Sequence, residues 1–283
     1  MDLLIAKNSG FCFGVEKAVK TTLNTLDENK YNVFSLGPII HNEQVINLLE
    51  SKGLKIINNI KDVNKGKVII RSHGVPLDVY SYAKKNGIEL IDCTCPFVRK
   101  VQKKANEFFN NGYTIVIIGN PNHPEVIGIN GWCNNQAIIV NSENDVNKVP
   151  LSDKLCIVSQ TTMTLEKFQK LSQLVQKKGK LVKVFNTICN ATKLRQESTK
   201  EIAKKVNAMI VIGGHHSSNT LKLAEISKKY CHNVYHIETL DELPIDELKN
   251  FKMIGITAGA STPNWIIEDI VNNLKNISNK NKL

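Results

Sequence analysis

Short apolar runs alternate with amphipathic ones along the whole chain. "YNVFSLG", "KVIIRSHG", "YTIVIIGN", "LCIVSQTT", "AMIVIGGHH" and "KMIGITAG" are brief and rich in Val and Ile, which predicts strands buried on both faces. Between them, "HNEQVINLLESKG", "LDVYSYAKKNG" and "TLEKFQKLSQLVQKKG" carry apolar residues at helical spacing and close on glycine, which predicts helices. Strands alternating with helices predict an α/β protein with parallel sheets, in which ligands bind beyond the carboxyl ends of the strands.

A polar loop follows each of the six strands: "GPIIHN", "RSHGVP", "GNPNHPE", "SQTTMT", "GGHHSSN" and "AGASTP". Their spacing reveals a repeat. Cys12 precedes His41 by 29 positions, Cys95 precedes His123 by 28, and Cys189 precedes Ser217 by 28. A second polar loop follows at His73, Thr161 and Ser261, which are 61, 66 and 72 positions after the same cysteines. The unit is a cysteine, a helix, a strand with a polar loop, a helix, and a strand with a second polar loop. A period of roughly 80 to 95 residues is too long for a solenoid. It predicts three small α/β domains, 1–94, 95–188 and 189–283, around a pseudo-threefold axis with the polar loops facing inward.

Composition narrows the class. The 283 residues are 42% hydrophobic, enough for a sizeable core, and no apolar run approaches the roughly 20 residues of a membrane span. "MDLLIAKNSG" lacks the features of a signal peptide, so a soluble cytoplasmic protein is expected. The net charge of +11 raises nucleic acid, an acidic protein or a phosphorylated substrate as partners. Lysine is spread throughout, without interleaved aromatics or a helix-turn-helix or zinc-finger pattern, so no nucleic-acid partner is expected. The last residues of "NNLKNISNKNKL" are expected to fray.

Seven cysteines, an odd number spread thinly, argue against a disulfide framework. Cys12, Cys95 and Cys189 recur at one position of the repeat, each ahead of an expected helix start, where thiolate is favoured. Three thiolates converging on an axis make a metal site with one open position, suited to zinc or to a cubane iron–sulfur cluster. Gly10 and Thr187 stand where Cys93 does relative to the ligand cysteine, so Cys93 lies outside the repeat. Cys133, Cys156 and Cys231 are expected to be small apolar core residues.

The loops offer donors. His41, His73 and His123 follow strands, and "HSSN" (His216 to Asn219), "SQTT" (Ser159 to Thr162) and "GAS" (Gly259 to Ser261) add hydroxyls, an amide and small residues. That set suits a phosphate or diphosphate, and without a Walker or GxGxxG motif a nucleotide is not expected. Glu125 is the only carboxylate within these six loops, and neighbouring anions raise a carboxyl pKa, which makes it a candidate proton donor. Thr161 could relay a proton or orient a substrate hydroxyl. An open Lewis-acidic iron, a ring of anion donors and one acid together fit reductive removal of a hydroxyl group.

The sequence also closely resembles the 4-hydroxy-3-methylbut-2-enyl diphosphate reductase family over essentially the whole chain. The resemblance rests on "GFCFGV", "GPIIHN", "RSHG", "TCP", "GNPNHPE", "SQTT", "TICNAT", "RQE", "HSSNT" and "TAGASTP", in this order. It implies a three-domain trefoil and a [4Fe–4S] cluster on Cys12, Cys95 and Cys189 whose open iron binds the substrate hydroxyl. A [3Fe–4S] form is expected where the labile iron is lost. Two electrons and two protons then yield isopentenyl and dimethylallyl diphosphate plus water. By motif match, His41, His73, His123, Ser217, Ser218, Asn219 and Ser261 would hold the diphosphate, Gln160 and Thr162 would line the pocket, and Glu125 with Thr161 would supply protons. Reduced ferredoxin or flavodoxin would be the electron donor, docking in part on positive surface. His215 and His216 depart from the family pattern. With the chain ending at Leu283, the RNA-binding domains of some bacterial relatives are not expected, and a monomer suffices for a site within one chain.

Three rivals use the same residues. A zinc hydrolase would need an activated water and usually His or carboxylate ligands. A phosphate-binding protein with structural cysteines would tolerate Cys→Ser at all three positions. A cysteine nucleophile would need a base paired with one particular cysteine.

Overall fold

In the computed structural model, which describes residues 1–28 and 32–280, the described strands form three four-stranded parallel sheets. The chain opens with β1 (Asp2–Ile5), α1 (Phe13–Glu28), β2 (Val33–Leu36), α2 (Glu43–Ser51), β3 (Lys55–Ile57), β4 (Lys67–Ile70), α3 (Leu77–Asn86) and β5 (Glu89–Asp92). It continues through α4 (Pro96–Asn110), β6 (Thr114–Ile118), α5 (Pro124–Gly131), β7 (Ile138–Val140), β8 (Ser152–Ser159), α6 (Leu165–Gln176) and β9 (Gly179–Val184). The last part holds α7 (Asn190–Ala203), β10 (Ala208–Ile212), α8 (Ser218–Tyr230), β11 (Asn233–Ile237), α9 (Ile245–Leu248), β12 (Met253–Ala258) and α10 (Asn264–Lys280). The tail expected to fray reaches into residues 281–283, outside the described residues.

The six apolar runs are β2, β4, β6, β8, β10 and β12, and they are the two central strands of each sheet. The sheet orders are β3-β2-β4-β5, β7-β6-β8-β9 and β11-β10-β12-β1. Central strands have neighbours on both sides and helices on both faces, which is why they read as continuous apolar runs. On β6, Val116 and Ile118 pack with Phe168, Leu171 and Val175 of α6, while Ile115 and Ile117 pack with Val101 and Ala105 of α4 and Ile129 of α5. On β10, Ile210 and Ile212 share a core with Ile266 and Ile270 of α10, while Met209 faces Ala203 of α7 and Val211 faces Leu223 of α8.

The three orders are one topology used three times. The fourth strand of each sheet is the strand that precedes a repeated cysteine: β5 before Cys95, β9 before Cys189, and β1 before Cys12. The first strand of the chain pairs with β12, register Asp2 to Met253 through Ile5 to Ile256, and completes the third sheet. The sequence repeat and the sheets are therefore offset by one strand.

The chain divides into two compact units. One contains Met1–Phe13, His41–Val45 and the chain from Asn190 onward; the other contains Gly14–Ile40 and Ile46–Cys189. The first unit carries the third sheet and the second carries the other two. Within the second, Trp132 Nε1 donates to Val75 O at 3.1 Å, tying the end of α5 to the loop after β4. Among the described residues no helix is long and apolar enough to cross a membrane.

Candidate active site

In the first two sheets the connections leave the two central strands in opposite directions: β2 leads to β3 on one side and β4 to β5 on the other, as β6 leads to β7 and β8 to β9; in the third, β10 leads to β11 and β1 flanks β12. Such a reversal leaves a crevice at the carboxyl ends of the central strands. Each polar loop starts at the carboxyl end of its own central strand.

The three first loops end alike, with a side chain capping the next helix. Asn42 Oδ1 accepts from Val45 N–H at 3.0 Å, His123 Nδ1 from Glu125 N–H at 3.2 Å, and Ser217 Oγ from Thr220 N–H at 3.4 Å. These caps open α2, α5 and α8, whose N-termini favour anions. Because His123 accepts through Nδ1, its neutral ring carries the proton on Nε2, a donor.

The second loops hold the cysteines. Cys95 N–H donates to Ser72 O at 2.9 Å, Cys189 N–H to Thr161 O at 3.1 Å, and Cys12 N–H to Ala260 O at 3.3 Å. Each bond joins a repeated cysteine to the loop after the neighbouring central strand. Cys12 and Cys189 immediately precede α1 and α7, and Cys95 is the N-cap of α4 with Pro96 at its first position. These three cysteines are half-buried, whereas Cys93, Cys133, Cys156 and Cys231 are buried. Burial pushes the Cys93 thiol up to about 11 and those of Cys133 and Cys156 to about 12, which keeps all three protonated. Thr187, at the position corresponding to Cys93, hydrogen-bonds Ser159 O at 2.6 Å.

The residues fit a group bound through soft sulfur. Space beside Cys95 is kept by Gly14, where a Cβ would stand 2.5 Å from the Cys95 Sγ and 3.1 Å from its Cβ. Gly14→Ala favours α1 intrinsically. It is nevertheless expected to displace the Cys95 thiol, changing its rate of alkylation by iodoacetamide severalfold while leaving far-ultraviolet circular dichroism unchanged. A rate equal to wild type would show that the Cys95 side chain does not meet the added methyl group.

Glu125, on the first turn of α5, is 1% exposed. Thr161 N–H donates to its Oε1 at 2.6 Å and Thr161 Oγ1–H to its Oε2 at 2.7 Å. Burial raises the carboxyl pKa to about 7 against those two bonds, which pull it down. The His73 and His123 rings meet edge to face, centroids 5.3 Å apart. Gln160 Nε2 donates to Thr162 Oγ1 at 2.7 Å, and Gln160 Oε1 accepts from Asn120 N–H at 3.1 Å. These residues all lie in the second unit.

In the first unit, Ser261 Oγ donates to His41 O at 3.0 Å and lies 3.5 Å from Ser217 Oγ. Ser218 is half-buried at the start of α8. The Asn219 amide is buried, and neither its nitrogen nor its oxygen has a partner among the described residues. His215 and His216 are exposed. Sequence reasoning gave no role to Asn42, whose cap is a short polar signal before α2. Nor did it assign one to Arg195 of "RQE", which is 3% exposed and donates through Nη2 to Gly10 O at 2.7 Å.

A family model described as LytB protein matches residues 3–275. The chain belongs to the LytB family. Members similar to it include the 4-hydroxy-3-methylbut-2-enyl diphosphate reductase of Alkaliphilus oremlandii, 50% identical over 279 residues, covering 98% of this chain and 100% of that one. The protein of the same name from Clostridioides difficile is 47% identical over 280 residues, with 98% and 100% covered. Among solved structures, (E)-4-hydroxy-3-methyl-but-2-enyl diphosphate reductase, the terminal enzyme of the non-mevalonate pathway, is 42% identical with a TM-score of 0.72, covering 98% of this chain and 100% of that one. The E-1-hydroxy-2-methyl-but-2-enyl-4-diphosphate reductase from Plasmodium falciparum is 33% identical with a TM-score of 0.91, covering 96% and 87%. The family's three-sheet α/β architecture agrees with the fold described above.

Proposed function

We infer that this chain is an oxidoreductase that removes the hydroxyl group of 4-hydroxy-3-methylbut-2-enyl diphosphate. The observation that carries the reading is one connected path in the second unit: Glu125 to Thr161 side chain and N–H, then Thr161 O to Cys189 N–H. A buried acid with a pKa near 7 is thereby one residue away from a proposed metal ligand.

Cys12, Cys95 and Cys189, one from each copy of the sequence repeat (1–94, 95–188 and 189–283), are read as the ligands of a [4Fe–4S] cluster. When bound, that cluster supplies electrons one at a time and a Lewis-acidic iron for the substrate oxygen. The chain's own residues do the rest. His41, His73, His123, Ser217, Ser218, Asn219 and Ser261 are read as donors to the diphosphate, which fixes the allylic end of the substrate. Gln160 and Thr162 line the pocket. Glu125 delivers a proton, and Thr161 holds its carboxyl in place and orients the substrate hydroxyl. In balance, the carbon–oxygen bond breaks, the oxygen leaves as water with one added proton, and the allylic carbon skeleton takes two electrons and one proton. Isopentenyl and dimethylallyl diphosphate differ in which carbon receives that proton. A reduced ferredoxin or flavodoxin is read as the electron donor, in the reducing cytoplasm, with the protein acting as a monomer.

The test is an anaerobic assay with chemically reduced viologen as donor. The reading requires two electrons consumed per product molecule and both diphosphate isomers formed. Cluster-loaded protein that turns over no substrate, or that hydrolyses it to the free alcohol, overturns the reading.

A further inference from the structure

We propose that Glu238 is a positioning residue for diphosphate binding: its carboxylate staples the loop carrying His41 to the loop carrying Ser217, Ser218 and Asn219. Glu238 follows the edge strand β11 and is 9% exposed. A carboxylate taken this far out of water needs donors, and here they come from the backbone of two separate loops. Oε1 accepts from Glu43 N–H at 3.3 Å, and Oε2 accepts from His215 N–H at 3.3 Å. The main chain of Glu238 joins in, its carbonyl accepting from Gln44 Nε2 at 3.1 Å. The Glu238 N–H donates to Glu242 Oε2 at 3.3 Å, and His215 Nε2 lies 2.8 Å from the same oxygen. The loops so joined touch directly: a Cβ on Gly214 would stand 2.7 Å from His41 O and 3.3 Å from Glu238 Oε1.

The chemistry explains why the staple is a carboxylate. One group must accept from two N–H donors pointing in from different loops, and an ionised carboxylate has two equivalent acceptor oxygens. A glutamine at 238 has one acceptor and so keeps only one loop. The donors to an anion must converge from both loops, so a small shift of one against the other weakens binding before it affects chemistry. His215 lends its N–H and its ring to the staple rather than to substrate.

The inference rests on the reading that these loops hold the diphosphate, and the two can be told apart. Glu238→Ala and Glu238→Gln are prepared as full-length, cluster-loaded protein. Binding of inorganic diphosphate is measured by calorimetry, KM and kcat by the viologen assay, and amide exchange over residues 41–45 and 213–219 by mass spectrometry. Glu238→Ala is expected to raise both the Kd for diphosphate and KM by about tenfold or more. Its kcat and visible spectrum should match wild type, with faster exchange in both segments. Glu238→Gln should fall between, and it decides alone if the alanine variant does not fold. Wild-type protein that binds no diphosphate and reduces no substrate would remove the underlying reading. Wild-type binding with a variant of equal Kd and KM, or a loss confined to kcat, overturns the staple itself.

Discussion

Glu125→Gln is expected to lower kcat by about 10²- to 10⁴-fold while binding of inorganic diphosphate survives. The glutamine is nearly isosteric and can still satisfy Thr161, its oxygen accepting from the Thr161 N–H and its amide donating to Oγ1. What it lacks is a proton to give. In wild type the carboxyl holds its proton up to about pH 7, because burial outweighs the two bonds from Thr161. The kcat should therefore fall as pH rises through about 7, and the variant's residual rate should lose that limb. Stability moves with the same group. The unfolded chain releases the proton near 4.5 and the folded chain near 7, so over that window the unfolded state binds fewer protons and stability falls as pH rises. The variant escapes this loss, so its stability relative to wild type should improve by about 2–4 kcal/mol on going from below pH 4.5 to above pH 7. Urea unfolding of both proteins at either end of the range measures the difference. A difference independent of pH would mean that Glu125 titrates normally, and an undiminished kcat would remove it as the proton source.

Cys12→Ser, Cys95→Ser and Cys189→Ser are each expected to abolish turnover, with loss of iron, sulfide and visible absorbance from anaerobically purified protein. A serine hydroxyl keeps its proton where a thiol gives it up, and it is a hard ligand where the cluster takes soft ones. Cys93→Ser should retain iron and activity. Although Cys93 is two residues from Cys95, its thiol is buried and held protonated by that burial, with Asp92 adding in the same direction. Equal loss at all four positions would point to general damage. Zinc in place of iron, or a triad variant with full activity, would take the cluster out of the mechanism and favour a hydrolase or a binding protein. Elemental analysis with the ultraviolet–visible spectrum of the five proteins is the measurement.

Much of the site was legible because it is written locally. A helix-capping side chain acts within three residues of itself, so His123 and Ser217 stand out beside their strands as short polar signals. The recurrence of cysteine and loop at 28 or 29 positions marked which of the seven cysteines occupy equivalent places, each ahead of a helix and bonded to the loop after a central strand. The partners of those residues were not legible. Thr161 lies 36 positions from Glu125, and Glu238 lies 195 positions from the Glu43 N–H it accepts. No local propensity records a pairing at that distance, and a buried carboxylate is written the same way in sequence as a solvated one.

The amino-acid sequence by itself determined the α/β class, the six central strands, the threefold recurrence and the candidate chemistry. Each of these follows from periodicity and residue type, which hydrophobic burial and backbone geometry translate directly. Only the tertiary structure decided that β1 closes the third sheet against β12 rather than opening the first, because strand partners are chosen by hydrogen bonding across the sheet. It also decided the edge strands, whose exposed and half-exposed residues carry little periodic signal, as in Glu89–Asp92 of β5 and Gly179–Val184 of β9. Above all it placed Glu125 on Thr161 and Glu238 between two loops, where the removal of water sets the protonation of one carboxyl and leaves backbone N–H groups as the partners of the other.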